Sequence, residues 1–297
     1  MTLQGVTMVR NEADVIEAFV RHNLRALDRI LVVDHCSSDG TREILHALKA
    51  EGLALDIELD DQEGHRQAET ITRLARRAFA EGASAVLALD ADEFLKMPSR
   101  AAFERWLAGV PPLYCVAVEW QTYLPQSLDR AVGEPLELTW RRAEEVHGLR
   151  KVVLTRAFAT TPAATVGPGN HTVLMEGPRQ DLAAHPVKLA LCPATVAAIA
   201  HLPVRSVAQI MRKVQTGWAA HLKANPADTT LNAHWRELVT DFAARGRPDV
   251  ERYRTLALNY GIPMARWQPS TAVRIVSDPV PLVAENRYAS LVRTPAP

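Results

Sequence analysis

Strands and helices take strict turns over the first 110 residues, and that alternation constrains the fold more than any other feature of the chain. GVTMVR (5–10), RILVVDH (29–35), LALDIELD (53–60) and AVLALD (85–90) are short aliphatic runs with β-branched content, which read as strands. ADVIEAFVRHNLRAL (13–27), TREILHALKAEG (41–52), HRQAETITRLARRAFAEG (65–82) and SRAAFERWLAGV (99–110) carry apolar residues at helical spacing. Strands joined by helices of this length form βαβ crossovers, and so a parallel sheet covered on both faces. Ligands of such sheets bind outside the carboxyl ends of the strands. Asp34, Asp90 and Asp92 therefore come up on the same edge.

The fourth strand ends in concentrated negative charge, with Asp90, Asp92 and Glu93 directly behind Ala85–Leu89. Adjacent carboxylates repel, so a cation belongs among them. A solvated strand end or a helix cap is the plainer alternative, since Pro98 and Ser99 begin a helical pattern.

After Pro111-Pro112 the pattern changes to strands without long helices between them: YCVAVEWQTYL (114–124), KVVLTRAFA (151–159), HTVLMEG (171–177) and TVAAIAHL (195–202). From Ser206 the chain turns helical, and its last 30 residues, with prolines at 269, 279, 281, 295 and 297, read as a surface-wrapping tail. The expected organisation is one domain over 1–204, with halves at 1–110 and 111–204, and a helical extension and tail over 205–297 packed on it.

Thirty-four basic residues balance 34 acidic ones, which leaves no electrostatic footprint for nucleic acid or an anionic membrane. Cys36, Cys115 and Cys192 are far apart and form no Cys-x-x-Cys pair, so neither a disulfide framework nor a zinc site is expected. The longest uncharged run, LALCPATVAAIAHLPV (189–204), is too short and proline-broken to span a bilayer. A cytoplasmic protein is expected, with peripheral contact at the inner face of the membrane left open.

The order of motifs resembles a known family. VTMVRNEADVIEAFVRHNL, ILVVDHCSSDGTREIL and GHRQAETITRLARRAFAEGASAVLALDADEF look like the nucleotide-sugar half of glycosyltransferase family 2, in its bacterial branch with an Asp-Ala-Asp-Glu-Phe metal motif. LRKVVL, GNHTV and AHLPVRSVAQIMRKVQTGW resemble the same branch and glycosyltransferase family 92. The resemblance runs over roughly residues 5–218 and is closest up to 94. It implies an α/β GT-A (Rossmann-like) fold, with a mixed, mostly parallel sheet flanked by helices, a nucleotide-diphosphate sugar donor, and Mn2+ or Mg2+. A hard divalent cation spanning two phosphates neutralises the departing diphosphate and accepts carboxylate oxygens or imidazole as ligands.

Carried onto this chain, the resemblance makes Asp92 the direct metal ligand and His201, in AIAHLP, the late histidine that closes the site. Asp90 meets the ribose or holds a metal-bound water, and so counts with Asp92 and His201 among the metal residues. Arg10, Asn11, Glu12 and Asp34 cradle the donor nucleotide, with Arg66 and Gln67 near the base or diphosphate and Lys151 on the phosphate side. His35 stands where relatives carry Asp or Asn, which leaves the base open. Asp39 shapes a turn and caps the next helix, and Glu93 orients the loop. His171 binds the acceptor or a phosphate. An inverting transferase also needs a carboxylate base. Glu119 is the first candidate, ahead of Glu144, Glu145 and Glu176. Trp120, Tyr123, Trp140 and Trp218 are available to stack on a sugar or to fill the core.

The expected function is transfer of a sugar to a glycan, lipid-linked or secondary-metabolite hydroxyl, with inversion. A phosphatase-type hydrolase fits less well, because Glu93-Phe94 at mid-chain departs from its nucleophile motif. A nucleotidyltransferase would want a glycine-rich loop where VRNEAD has none. A non-catalytic nucleotide- or glycan-binding module that kept the fold is the remaining alternative.

Overall fold

Each early aliphatic run becomes a strand, and the helices between them cover both faces of the sheet. The computed structural model describes the chain apart from residues 63, 65, 126, 128–129, 131–133, 176–186, 225–232, 283–285 and 294–297. The first segment runs β1 (Leu3–Val9), α1 (Ile16–Asn23), β2 (Arg29–His35), α2 (Thr41–Ala50), β3 (Leu55–Asp60), α3 (Gln67–Ala80) and β4 (Ala85–Ala88). β1 pairs in parallel with β2 and β4, and β2 with β3. Alternate strand residues face opposite sides. Val6, Leu31, Val33, Val86 and Ala88 meet Ile71, Leu74 and Ala78 of α3. Leu3, Ile30, Val32 and Leu87 meet Phe19 of α1 and Ile44, Leu45 and Leu48 of α2.

Beyond β4 the sheet becomes mixed. β5 (Glu93–Lys96), α4 (Arg100–Ala108), β6 (Tyr114–Thr122), β7 (Leu138–Arg142), β8 (Arg150–Leu154), α5 (Arg156–Ala159), β9 (Ala164–Val166), β10 (Val173–Met175), β11 (Lys188–Leu191) and β12 (Ala198–His201) follow. The strand order is β3-β2-β1-β4-β8-β6-β12-β5, with β11 also on β6. β8 is antiparallel to β4 and β6, while β12 is parallel to β6 and antiparallel to β5. This is the mixed, mostly parallel, helix-flanked sheet that the resemblance implied.

Several boundaries differ from the sequence reading. The expected strand 85–90 stops at Ala88, and Glu93–Lys96 forms a separate strand. The run 151–159 divides at Thr155, whose hydroxyl accepts from Ala157 N at 3.2 Å and starts α5. Ser99 caps α4 by accepting from Ala102 N. The tail holds a strand, β13 (Ile275–Val280), antiparallel to β7.

Helices α6 (Val207–Ala224), α7 (Ala233–Arg245) and α8 (Val250–Asn259) form their own small core around Ile210, Val214, Leu238, Phe242 and Leu256. The chain end returns to the first segment, where Tyr288 N donates to Glu17 and Arg293 N to the Asp39 carbonyl at 2.7 Å. Among the described residues no helix is long and apolar enough to cross a membrane.

Candidate active site

The turn between β4 and β5 places its carboxylates in two separate cationic settings. Asp90 accepts from Gln67 Nε2 at 2.7 Å and Asn170 Nδ2 at 3.2 Å through Oδ1, and from Lys151 Nζ at 2.6 Å through Oδ2. Lys151 is buried and also donates to the Gly169 carbonyl at 2.8 Å. Burial opposes its charge, but Asp90 and Glu93 outweigh burial and keep the ammonium protonated. The GPGN loop achieves this fit with left-handed backbone at Gly169 (φ 65°) and Asn170 (φ 60°). A side chain on Gly169 would put its Cβ 2.9 Å from His171 Nε2.

Glu93 sits behind the turn, with Oε2 accepting from Asp90 N at 2.9 Å and Oε1 2.8 Å from Lys151 Nζ. Burial, aided by Asp90 and Asp92, pushes its carboxyl up to about 8 despite Lys151. It braces the turn, as the sequence reading expected. The backbone of β5 is held from the other side by α1. Asn23 Nδ2 donates to the Glu93 carbonyl, Asn23 Oδ1 accepts from Leu95 N, both at 2.9 Å, and His22 Nε2 lies 2.8 Å from the Leu95 carbonyl. This clamp, written in the sequence only as His-Asn, fixes where Asp92 lies.

Asp92 is buried among groups that arrive from the far end of the chain. Lys213 of α6 donates to its Oδ2. Arg205 Nη1 is 3.6 Å from that oxygen, and His201 Nε2 is 3.6 Å from Oδ1. Burial alone would raise the Asp92 carboxyl, but Lys213, His201 and Arg205 overcome it and hold the group well below the usual carboxylate range. Burial pushes His201 down to about 4 in spite of Asp92, so at neutral pH its imidazole is uncharged and the hold on Asp92 falls to Lys213 and Arg205. Arg205 is fully buried and also binds Glu12 and Asp14. Burial raises Glu12 to about 7, against the pull of Arg205 and Lys213. Neither Arg205 nor Lys213 was singled out from the sequence, although VRSVAQIMRK contains both.

The remaining expected residues divide into those that join this cluster and those that do not. Trp120 of β6 faces it, with its ring centroid 4.1 Å from that of His201, 4.8 Å from His147 and 5.3 Å from His171. His171 Nδ1 lies 2.8 Å from the Arg150 carbonyl. Burial, with Lys151, lowers His171 to about 4, so the ring is neutral. Glu119 is next to Trp120 and faces the other side of the sheet, where it accepts from Gln121 Nε2 at 2.6 Å beside Lys96. The structure does not bring it to the cluster. Glu145 accepts from Thr122 Oγ1 at 3.0 Å and lies 2.9 Å from His147, whereas Glu144 pairs with Arg274 at the exposed surface. Glu176 lies outside the described residues.

On the strand-one side, Asn11 (φ 56°) links two loops, donating from N to Ser37 Oγ and accepting at Oδ1 from Ser38 N. Asp39 binds Ala13 N, Thr41 N and Thr41 Oγ1, which shapes the turn as expected, while Gly40 is the cap residue of α2. Asp34 is fully buried; Oδ2 accepts from Arg42 at 2.7 Å, and Oδ1 has no partner among the described residues. Arg10 Nε is likewise buried without a partner among the described residues. Arg66 turns to Gln62 and Asp60, leaving Gln67 as the α3 residue that reaches Asp90.

Asp92 and His201 pass a test for a divalent cation. Their facing atoms, 3.6 Å apart, can share an ion at ordinary bond lengths of about 2.0–2.4 Å. Among the described residues no group of three or more His, Cys, Asp or Glu is placed to hold a metal. Such a two-ligand site suits a cation that takes its other oxygens from phosphates and water.

Comparison with known proteins gives partial matches. Among solved structures, the mannosyltransferase PcManGT from Pyrobaculum calidifontis, in complex with GDP-Man and Mn2+, is 24% identical over 39% of this chain and 34% of its own, with a TM-score of 0.31. A mannose-1-phosphate geranyltransferase from Thermus thermophilus is 16% identical over 54% of this chain and 52% of its own, with a TM-score of 0.29. HddC from Yersinia pseudotuberculosis is 11% identical over 68% of this chain and 94% of its own, with a TM-score of 0.35. The chain thus covers 34% and 52% of the first two structures. A search of curated proteins gives no match. The family model described as Glycosyl transferase family 2 matches residues 6–98. That segment, which carries the strand-one loop, Asp34 and the Asp90–Asp92 turn, is the part of the chain that is similar to glycosyl transferase family 2.

Proposed function

We propose that the protein is a metal-dependent glycosyltransferase that moves a sugar from a nucleotide-diphosphate sugar to a hydroxyl acceptor with inversion. The observation that carries this reading is the pair Asp92 and His201, two neutral-pH metal donors 3.6 Å apart on the strand-end edge shared with Asp34. They would hold Mn2+ or Mg2+, which when bound supplies Lewis-acid neutralisation of the leaving diphosphate. Asp34, whose Oδ1 has no partner among the described residues, and the neighbouring Arg10, Asn11 and Glu12 form the strand-end loops on which the nucleotide would lie. Asp90, oriented by Gln67, Asn170 and Lys151, offers its remaining lone pairs to the ribose.

His171 supports acceptor binding over phosphate binding. The Arg150 carbonyl can only accept, so the ring hydrogen is on Nδ1 and Nε2 presents a lone pair. A lone pair receives a sugar hydroxyl and repels a phosphate oxygen. Trp120 supplies an aromatic wall for the same sugar. Glu119, on the other face of the sheet, is not part of this reading. The acceptor is a glycan, lipid-linked or secondary-metabolite hydroxyl, reached in the cytoplasm.

Thermal melts with nucleoside diphosphates, each with and without Mn2+ or Mg2+, test the reading. A nucleotide at a hundredfold excess over its dissociation constant should add about 2.7 kcal/mol of stability, and only with the metal present. Asp92→Asn should remove the metal-dependent part and all sugar transfer. Release of phosphate from simple esters would instead identify a hydrolase, and absence of turnover with intact binding would identify a binding module.

A further inference from the structure

Asp92 has two oxygens and two kinds of positive neighbour, and the neighbours differ in freedom. Arg205 is fully buried and fixed by Glu12 and Asp14, so it cannot leave. Lys213 is different. Its side chain is 23% exposed, and its ammonium, on a flexible four-carbon stem, binds Asp92 Oδ2 and lies 3.8 Å from Glu12 Oε1. A buried carboxylate needs a counter-charge, and Lys213 provides one at the oxygen beside the position that a divalent ion would share with His201.

We propose that Lys213 is the resident cation of the metal site: it holds Asp92 in the free protein, and when a divalent ion binds it transfers to the diphosphate of the donor. The second half of this statement rests on the glycosyltransferase reading above; the first half does not. A divalent ion on Asp92 and His201 would lie within a few ångströms of the ammonium and repel it. The free protein therefore disfavours metal alone. A diphosphate changes the balance, because it gives the displaced ammonium an anionic partner and gives the ion additional oxygen ligands. Metal and nucleotide thus favour each other's binding, and by linkage the effect is reciprocal. The preferred ligand is the metal–nucleotide complex, with neither component favoured first.

Lys213→Met separates the two halves. Titration of Mn2+ into the protein alone, followed by the electron paramagnetic resonance of free Mn2+, should show affinity rising by about ten- to a hundredfold. Isothermal titration of nucleoside diphosphates in saturating Mn2+ should show their affinity falling by a similar factor. Opposite signs are what a merely structural lysine would not give. Lys213→Gln, which keeps a hydrogen bond to Asp92 without the charge, gives the same measurements if the methionine variant does not fold. Unchanged or weaker Mn2+ affinity in a folded variant would overturn the proposal. If wild-type protein binds no nucleoside diphosphate, the glycosyltransferase reading fails, while the Mn2+ titration still reports whether Lys213 competes for Asp92.

Discussion

Arg205 Nε donates to Asp14 Oδ2 at 2.8 Å across 191 residues of sequence, and no part of the guanidinium reaches solvent. This bond ties the entry of α6 to the loop after β1. Removing one partner of a buried ion pair leaves the other charge uncompensated, at a cost of about 3–5 kcal/mol. Arg205→Met should lower stability by that amount in urea unfolding. Arg205→Lys should recover little, since a single ammonium cannot serve Asp14, Glu12 and Asp92 together. An unchanged urea midpoint in the methionine variant would show that other contacts make this junction.

Asn23 should prove more important than an ordinary residue at a helix end. Its amide satisfies one carbonyl and one N–H of β5, both buried. Asn23→Ala orphans both groups, each at about 1–3 kcal/mol. Amide hydrogen exchange should then quicken at Leu95 more than at Ile199 on the paired strand β12. Uniform acceleration through the sheet would count against a local clamp.

Gly40 is required by both conformation and space. Its φ of 102° lies in the left-handed region, and a Cβ there would sit 2.0 Å from the Leu291 carbonyl oxygen. Gly40→Ala should push the segment 288–293 off α2, exposing it to limited proteolysis, while the strained backbone itself costs about 1–2 kcal/mol. A tail that stays protected in the alanine variant would refute the close packing.

His22 should make stability depend on mild acid. Burial lowers it below the ordinary 6.5, although the Leu95 carbonyl at 2.8 Å favours the charged ring. The folded state therefore binds its proton less readily than the unfolded chain. The stabilisation is complete above about pH 6.5 and is lost as pH falls below it, with a limiting slope of about 1.4 kcal/mol per pH unit. His22→Gln, which can still donate to Leu95, should flatten the urea-midpoint profile just below about pH 6.5. An identical profile would assign the acid sensitivity elsewhere.

The early βαβ pattern was legible because Phe19, Ile44, Leu74 and the aliphatic strands repeat at periods that single out one structure. Asp92 and His201 could be associated through the order of motifs. β5 could not be read, since EFLK is four residues long and half charged, and its backbone partners are side chains of α1. β7 and β13 pair with each other across more than a hundred residues, a partnership that local sequence does not reveal. Glu119 illustrates another limit. Alternation puts it and Trp120 on opposite faces, but only the pairing with β12 and β8 determines which face holds Lys151 and His201. Arg205, just before α6, and Lys213, on it, carry no signal of their own in the sequence until the fold places them against Glu12, Asp14 and Asp92.

The position of β12 between β6 and β5 has a consequence for biosynthesis. When a ribosome has released the first hundred residues, β5 has no strand to pair with and Asp92 none of His201, Arg205 or Lys213. Contacts of such large sequence separation form late and slow the search for the native state. The carboxylates of the turn then stand unneutralised in a half-made chain, which lacks the built-in cations that would let it close around them. Assembly of the charge cluster around Asp92 thus coincides with completion of the sheet, so a prematurely terminated fragment lacks His201, Arg205 and Lys213 altogether.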